Sequence, residues 1–210
     1  MKVVIFGSTG TVGKHLIEQS LEKGHEVLAF CRQAEKLEMF KNSNLKIQEG
    51  DVFNPEDVSA AVQDQDVVIV ALGSGKSRKS VVRSQGTKNI ITAMKNNGVN
   101  RLICQSTLGT YESNENLNFF WKYIMFGWYL KQIFLDHELQ ERYVQNSGLD
   151  WTIVRPGAFT DGEKTELYRH GFGANAKSLK LKISRADVAD FVLKQVTDTN
   201  YLHKTPGLSY

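Results

Sequence analysis

The chain has 210 residues, 41% hydrophobic and 23% charged, which fits one soluble globular domain and excludes a disordered or fibrous chain. The formal net charge of +3 is too small to argue for nucleic-acid binding by itself. The two cysteines, Cys31 and Cys104, lie in apolar runs without a CxxC partner, which argues against a disulfide or metal centre and for a reducing, cytoplasmic setting.

The first residues enter an apolar run with no basic leader or cleavage site, so no signal peptide is expected. No apolar run approaches the ~20 residues of a membrane span, so no integral membrane segment is expected either. In chain order, "KVVIFG" predicts a strand and "GTVGKHLIEQSLEKG" a helix. "EVLAFCR" is a second strand, followed by a short helix near 34–41, and "LKIQEGD" a third. A helix near 55–63 opens at "NPED", with Asn54 as N-cap and Pro55 as first helical residue. "DVVIVALG" is a fourth strand, followed by a long helix from about Lys79 to Asn97, and "RLICQST" a fifth. A helix through "LDHELQERYVQNSG" leads into a sixth strand, "DWTIVRPG". The last elements are a strand at "SLKLKIS" and a helix from "SRADVADFVLKQV".

The strands are continuous apolar runs, as in a parallel sheet covered on both faces. Their alternation with helices implies right-handed crossovers and a doubly wound α/β sheet. No repeat, low-complexity linker or domain boundary interrupts the chain, so residues 1–210 are expected to form a single doubly wound α/β domain.

The first strand and helix are joined by "GSTGTVG". Gly7 permits a tight turn, Gly10 lets backbone approach a pyrophosphate, and Gly13 lets the helix pack close to the strand. Together with Ser8, Thr9, Thr11 and Val12, this is the context in which a Gly-rich turn holds a dinucleotide on a helix N-terminus. A plain strand–helix turn has the same residues. The second strand ends in Arg32, with Lys36 a helical turn later, where an NAD site usually has Asp or Glu. A guanidinium suits a 2′-phosphate, which favours NADP(H); a solvated strand end reads the same way. Asp51 and Val52 follow the third strand as candidates for the adenine, and Leu72, Gly73 and Ser74 follow the fourth where a cofactor ribose would pass.

These residues, with "GTKNIITAMKNNGVNRLI" and "SGLDWTIVRPG", resemble the atypical short-chain dehydrogenases/reductases over nearly the whole chain. Within that group the sequence is most similar to the branch of biliverdin-IXβ reductase (also a flavin reductase) and the NmrA-like proteins. The resemblance implies a Rossmann-type sheet, NADPH, and a substrate region toward the C-terminus, with 106–135 and 156–183 covering the substrate. It places the hydroxyls of Ser106 and Thr107 near the nicotinamide.

One departure is informative. The usual members carry Tyr-x-x-x-Lys on the helix before the sixth strand, the Tyr giving a proton and the Lys lowering its pKa. Here the Lys position falls on Gly127 after Tyr123, Ile133 after Tyr129 and Ser147 after Tyr143. The pair's places belong to Ile133 and His137; His137 would face the cofactor ribose or solvent, and Asp136 beside it reads as a helix charge. Carbonyl reduction through a tyrosine acid is therefore not expected. Hydride transfer to a flavin or a linear tetrapyrrole does not need one, because the protein mainly positions two flat molecules. Relatives in the biliverdin branch carry a His after the sixth strand where this chain has Ala158, which weakens biliverdin as preferred substrate. The segment "NFFWKYIMFGWYLKQIF" contributes Trp121 and Phe126 to a planar substrate, with Pro156 and Phe159 as further substrate residues; core, a dimer contact or a membrane-surface helix are the other readings. "KSRKSVVR", with Lys76, Arg78, Lys79 and Arg83, attracts an FMN phosphate or substrate carboxylates, or is a solvated loop. The expectation is an NADPH-dependent reductase of a flat acceptor, flavin or biliverdin-like first and quinone next. The rival is an NmrA-like redox sensor that binds NADP(H) and a protein partner without turnover.

Overall fold

The computed structural model of the chain describes every residue except Lys76 and Arg78. Five largely apolar strands begin its sheet: β1 (Lys2–Phe6), β2 (Glu26–Cys31), β3 (Leu45–Glu49), β4 (Val67–Val70) and β5 (Arg101–Gln105). They continue through β6 (Asp150–Pro156), β10 (Gly207–Ser209) and β8 (Arg169–His170) into an eight-stranded sheet of order β3-β2-β1-β4-β5-β6-β10-β8. Every pairing in it is parallel except β10 with β8. A two-stranded parallel sheet joins β7 (Ala158–Thr160) to β9 (Lys182–Ser184).

Alternate side chains of each strand go to opposite faces, and in β1, β2, β4, β5 and β6 both faces are buried. Val3 and Ile5 of β1 join a cluster with α1 (Thr11–Glu22) and α5 (Arg185–Lys194). Val4 and Phe6 join another with α2 (Pro55–Val62), α3 (Val82–Asn97) and α4 (Lys131–Gln145). This is a Rossmann-type α/β fold. The strand order reverses between β1 and β4, the switch point where such sheets open a crevice at their C-terminal edge.

Local chemistry sets most boundaries. Asn54 Oδ1 accepts the Glu56 N–H at 3.0 Å, with Pro55 opening α2. Gly98 closes α3 at φ +70°, the left-handed conformation glycine adopts without strain. Three expectations shift. The helix near 34–41 is only a 3₁₀ turn, Ala34–Leu37, with Leu37 its only buried residue, too little apolar surface to hold a longer helix. The strand expected at "SLKLKIS" keeps only Lys182–Ser184, because Ser178 and Leu181 have positive φ of 61° and 54°. The third helix begins at Val82, not Lys79: its first turn is capped by Asp136 of α4, described below.

No helix among the described residues is long and apolar enough to cross a membrane. The aromatic segment forms a π-helical stretch, Phe120–Tyr129, with no buried residue, so it is not core.

Asp187, in the first turn of α5, ties distant chain together. It accepts the N–H groups of Thr165 and Glu166 at 2.7 and 2.9 Å and the hydroxyls of Thr165 and Tyr210 at 2.8 and 2.6 Å. Burial alone would raise its pKa, but these hydrogen bonds outweigh it and hold the carboxyl below its usual range. Its contribution is full above the unfolded carboxyl pKa, ~3.9, and is lost as pH falls through the lower folded value. We expect Asp187→Asn to cost about 1–3 kcal/mol at pH 7 in urea unfolding. The gap to the native protein should close on acidification; a gap that persists at acid pH contradicts this role.

Candidate functional site

A cavity of about 730 Å³ lies along the C-terminal edge of the sheet, from the β1–α1 turn to the π-helical segment. At the first end, Gly7 has φ +90°, and a Cβ there would lie 2.3 Å from the Ala71 carbonyl oxygen. A Cβ at Gly13 would lie 2.2 Å from the Gly7 oxygen, so both glycines are fixed by close backbone approach. Gly10 differs: a Cβ there would meet only the Gly7 oxygen, at 3.0 Å, and the residue opens on the cavity. No side chain caps α1, and no acidic residue stands in its first turn. Unpartnered N–H groups at the positive end of a helix dipole fit an anionic group.

Thr9, Thr11 and Val12 line this end with Gly7 and Gly10. Ser8 and Gly13 lie behind it: the Ser8 hydroxyl donates to the Phe30 carbonyl at 2.7 Å, and Gly13 packs on the turn. Arg32 lines the cavity, exposed, with no hydrogen bond or ion pair among the described residues. Lys36 is exposed, bonds Gln33, and does not reach the cavity. Asp51 and Val52 line it; Asp51 Oδ1 accepts the Phe53 N–H at 3.0 Å, while no hydrogen bond among the described residues occupies Oδ2. Leu72, Gly73 and Ser74 line the stretch beyond β4.

In the middle the structure separates residues that the sequence placed side by side. Ser106 borders the cavity, but its hydroxyl donates to Glu141 Oε1 at 2.5 Å. Glu141, fully buried, also takes the Thr110 hydroxyl at 2.7 Å and a fork from Arg155, whose Nη2 lies 2.6 Å from Oε2. Arg155 is 1% exposed; its burial opposes the charge, but Glu141 and Glu112 more than compensate and keep it cationic. Thr107 is the freer hydroxyl: it lines the cavity and, among the described residues, has only a 3.4 Å contact to the Leu108 oxygen.

His137 lines the cavity from α4. Burial, reinforced by the charge of Arg83, lowers its pKa to about 3, so the ring is neutral and does not replace a lysine cation. Asp136 is more than a helix charge. It is buried, accepts the N–H groups of Arg83 and Ser84 at 3.2 and 3.1 Å, and so caps α3 from another helix. Within "KSRKSVVR", Arg83 reaches the cavity, Lys79 is exposed away from it, and Lys76 and Arg78 lie outside the described residues.

At the far end the aromatic segment presents two sides. Trp121 and Phe126 line the cavity with ring centroids 5.6 Å apart, and Phe126 stacks on Phe134 at 4.8 Å. Phe119, Tyr123 and Trp128 face solvent. Phe159 closes the opposite side with Leu181. Pro156 does not line the cavity; it is buried in β6, where its carbonyl accepts the Leu108 N–H at 2.8 Å. Sequence reasoning missed Gln105, Leu117, Leu130 and Leu181, all of them lining the cavity. Leu117 precedes the aromatic segment and Leu130 lies within it, so both were within reach of that reading; Leu181 arrives only through the β7–β9 pairing. No tyrosine lines the cavity.

The family model described as NAD(P)H-binding matches residues 7–199, and the chain belongs to that family. It is 26% identical over 166 residues to the photosystem II assembly factor Ycf39 of Synechocystis, a match that covers 77% of this chain and 46% of that protein. The chain thus spans about half the length of this relative. Among solved structures, the oxidoreductase ylbE of Lactococcus lactis aligns with a TM-score of 0.85 and 26% identity, covering 99% of this chain and 90% of that one. ChuY of Escherichia coli O157:H7, described as an anaerobillin reductase, aligns with a TM-score of 0.81 over 99% of this chain and 96% of that one; at 22% identity it shares the fold.

The neutral imidazole has a pH signature. The unfolded ring titrates near 6.5 and the native one near 3, so between these values only the unfolded state takes up the proton. The His137 contribution is intact above about 6.5 and declines as pH falls. In NMR titration the His137 ring signals are expected to stay constant from ~pH 5 to 8, where free imidazole titrates. A midpoint near neutrality contradicts the buried neutral ring.

Proposed function

We propose that this protein is an NADPH-dependent reductase of a flat, conjugated acceptor, with flavin the first choice and a linear tetrapyrrole or quinone next. The observation that carries the reading is one cavity that runs from an uncapped helix N-terminus to an aromatic wall, with no tyrosine along it. In this reading the N–H groups that open α1 take the pyrophosphate, and Gly10 gives it room. Arg32 takes the 2′-phosphate, which an Asp or Glu at that place would repel. Asp51 Oδ2 accepts from the adenine amino group above Val52. When bound, the reduced nicotinamide supplies a hydride, which with one proton reduces the acceptor by two electrons.

The chain's own residues then position and shield. Thr107 offers a hydroxyl to the carboxamide or the acceptor. Trp121 and Phe126 stack against the flat acceptor, and the segments 106–135 and 156–183 exclude water around it. Ser106, held by Glu141, sets the backbone from which Thr107 projects and is a positioning residue here. The neutral His137 ring makes a poor acid at pH 7, so the proton comes from solvent, which flavin reduction tolerates. ChuY, a reductase by its description with the same fold, supports a reduction in this cavity.

Mixing the protein with NADPH and FMN and following nicotinamide absorbance tests the reading. Steady oxidation above the protein-free rate is expected. Tight NADPH binding with no turnover on flavins, quinones or biliverdin overturns it in favour of a redox sensor, whose protein partner would meet the exposed Phe119, Tyr123 and Trp128. Cofactor choice is tested separately. Arg32→Glu should weaken NADPH by about tenfold or more, the worth of a charge-assisted contact, and leave NADH nearly unchanged. Equal loss for both places the 2′-phosphate elsewhere. Flavin binding should also quench Trp121, and Trp121→Leu should lower acceptor affinity without changing NADPH affinity.

A further inference from the structure

We propose that the cavity contains a second oxyanion site, built on Arg83, that anchors a phosphate or carboxylate carried by the acceptor. This rests on the reductase reading and narrows its substrate class to acceptors with an anionic arm.

Arg83 stands in the first turn of α3 with its side chain only 11% exposed, bordering the cavity. A guanidinium has five N–H donors. Nη1 donates one to the Ser74 hydroxyl at 3.2 Å, while among the described residues no hydrogen bond occupies Nη2 and the buried Nε has no partner. Among the described residues the only carboxylate paired with the guanidinium is Asp136, at 3.8 Å, and Asp136 already takes two N–H groups of α3 and the Ser84 hydroxyl. One negative charge is thus divided between a helix N-terminus and a buried cation. A buried charged donor left unused is costly, and in native structures such a group calls for an explanation. His137 Nδ1 adds one more buried polar atom without a partner among the described residues on the same cavity wall, while the unpartnered Gln105 Oε1 there is an acceptor and serves a donor of the ligand rather than its anion. A neutral imidazole can donate a hydrogen bond without adding charge, which suits the edge of an anion site.

The location decides whose anion this is. Arg32 and the start of α1 already match the anionic groups of a phosphorylated dinucleotide, at the other end of the cavity. Arg83 bonds Ser74 and acts on His137, away from the two places where the anionic groups of the dinucleotide were put, so we assign its partner to the acceptor. An FMN phosphate and a tetrapyrrole propionate present the same chemistry, whereas a plain quinone leaves the site unfilled.

The test is equilibrium binding to NADP⁺-loaded protein of two ligand pairs that differ in the anionic arm: FMN against riboflavin, and biliverdin against its dimethyl ester. In at least one pair the anionic member is expected to bind about tenfold or more tightly, the worth of a charge-assisted hydrogen bond. Arg83→Gln should abolish that gap by weakening the anionic member alone, and Arg83→Lys should keep part of it. The pair that shows the gap tells phosphate from carboxylate. Because Arg83 also touches the start of α3, salt dependence of the native protein gives an independent reading: added salt should narrow the gap. The proposal is overturned if both pairs bind equally, if the gap survives Arg83→Gln or ignores salt, or if none of the four ligands binds. Failure of the reductase reading looks different: the gap and its loss in Arg83→Gln remain, while NADPH is not consumed.

Discussion

The site depends on how closely α1 approaches the ends of β1 and β4. Gly7 at φ +90° and Gly13 against the Gly7 oxygen leave no room for a Cβ, and that contact aims the first N–H groups of α1 along the sheet edge. Because no side chain caps those groups, the fold leaves an electropositive helix end facing a cavity. The reversal of strand order beside β1 opens the cavity there. What lines it further along is then decided by the loops that leave β4, β5 and β6.

The second organising feature is buried charge. Glu141 and Arg155 sit under the loop after β5, and through Ser106 and Thr110 they fix the path from which Thr107 faces the cavity. Asp136 does similar work for α3 while compensating part of Arg83. Buried pairs of this kind add little net stability but are costly to break from one side, so they hold geometry more than they add free energy. Here they do so on α4, the helix that in the resembled family carries the Tyr and Lys. The same helix is thus used for a different purpose: it braces two loops and contributes one neutral ring, His137.

The alternation of apolar runs with helical segments made the parallel sheet and its two helical layers legible, because strands buried on both faces have a simple signature. The glycine turn and Arg32 were legible for the same reason: their spacing and place after a strand carry the meaning. What escaped was set by contacts between distant residues. Only part of the start of α3 could be read from "KSVVRS": Ser80 takes the Val82 N–H locally, but the next two N–H groups go to Asp136 of α4. The fate of the Ser106 hydroxyl depends on Glu141, and Leu181 comes to the cavity through a strand pairing of three residues a side. Lys36 seemed one turn from Arg32, but that spacing assumed a helix where the chain makes a short 3₁₀ turn.

The central claim is that one cavity holds NADP(H) at the glycine end and a flat acceptor at the aromatic end, in contact. A crystal structure with NADP⁺ and FMN bound together tests it most directly. The account predicts the pyrophosphate on the first N–H groups of α1, the 2′-phosphate on Arg32, and the flavin ring between the nicotinamide and Trp121 and Phe126. The reacting atoms should then lie about 3–3.5 Å apart. A flavin lodged outside the cavity, on the solvent face of Tyr123 and Trp128, or a 2′-phosphate away from Arg32, would contradict it.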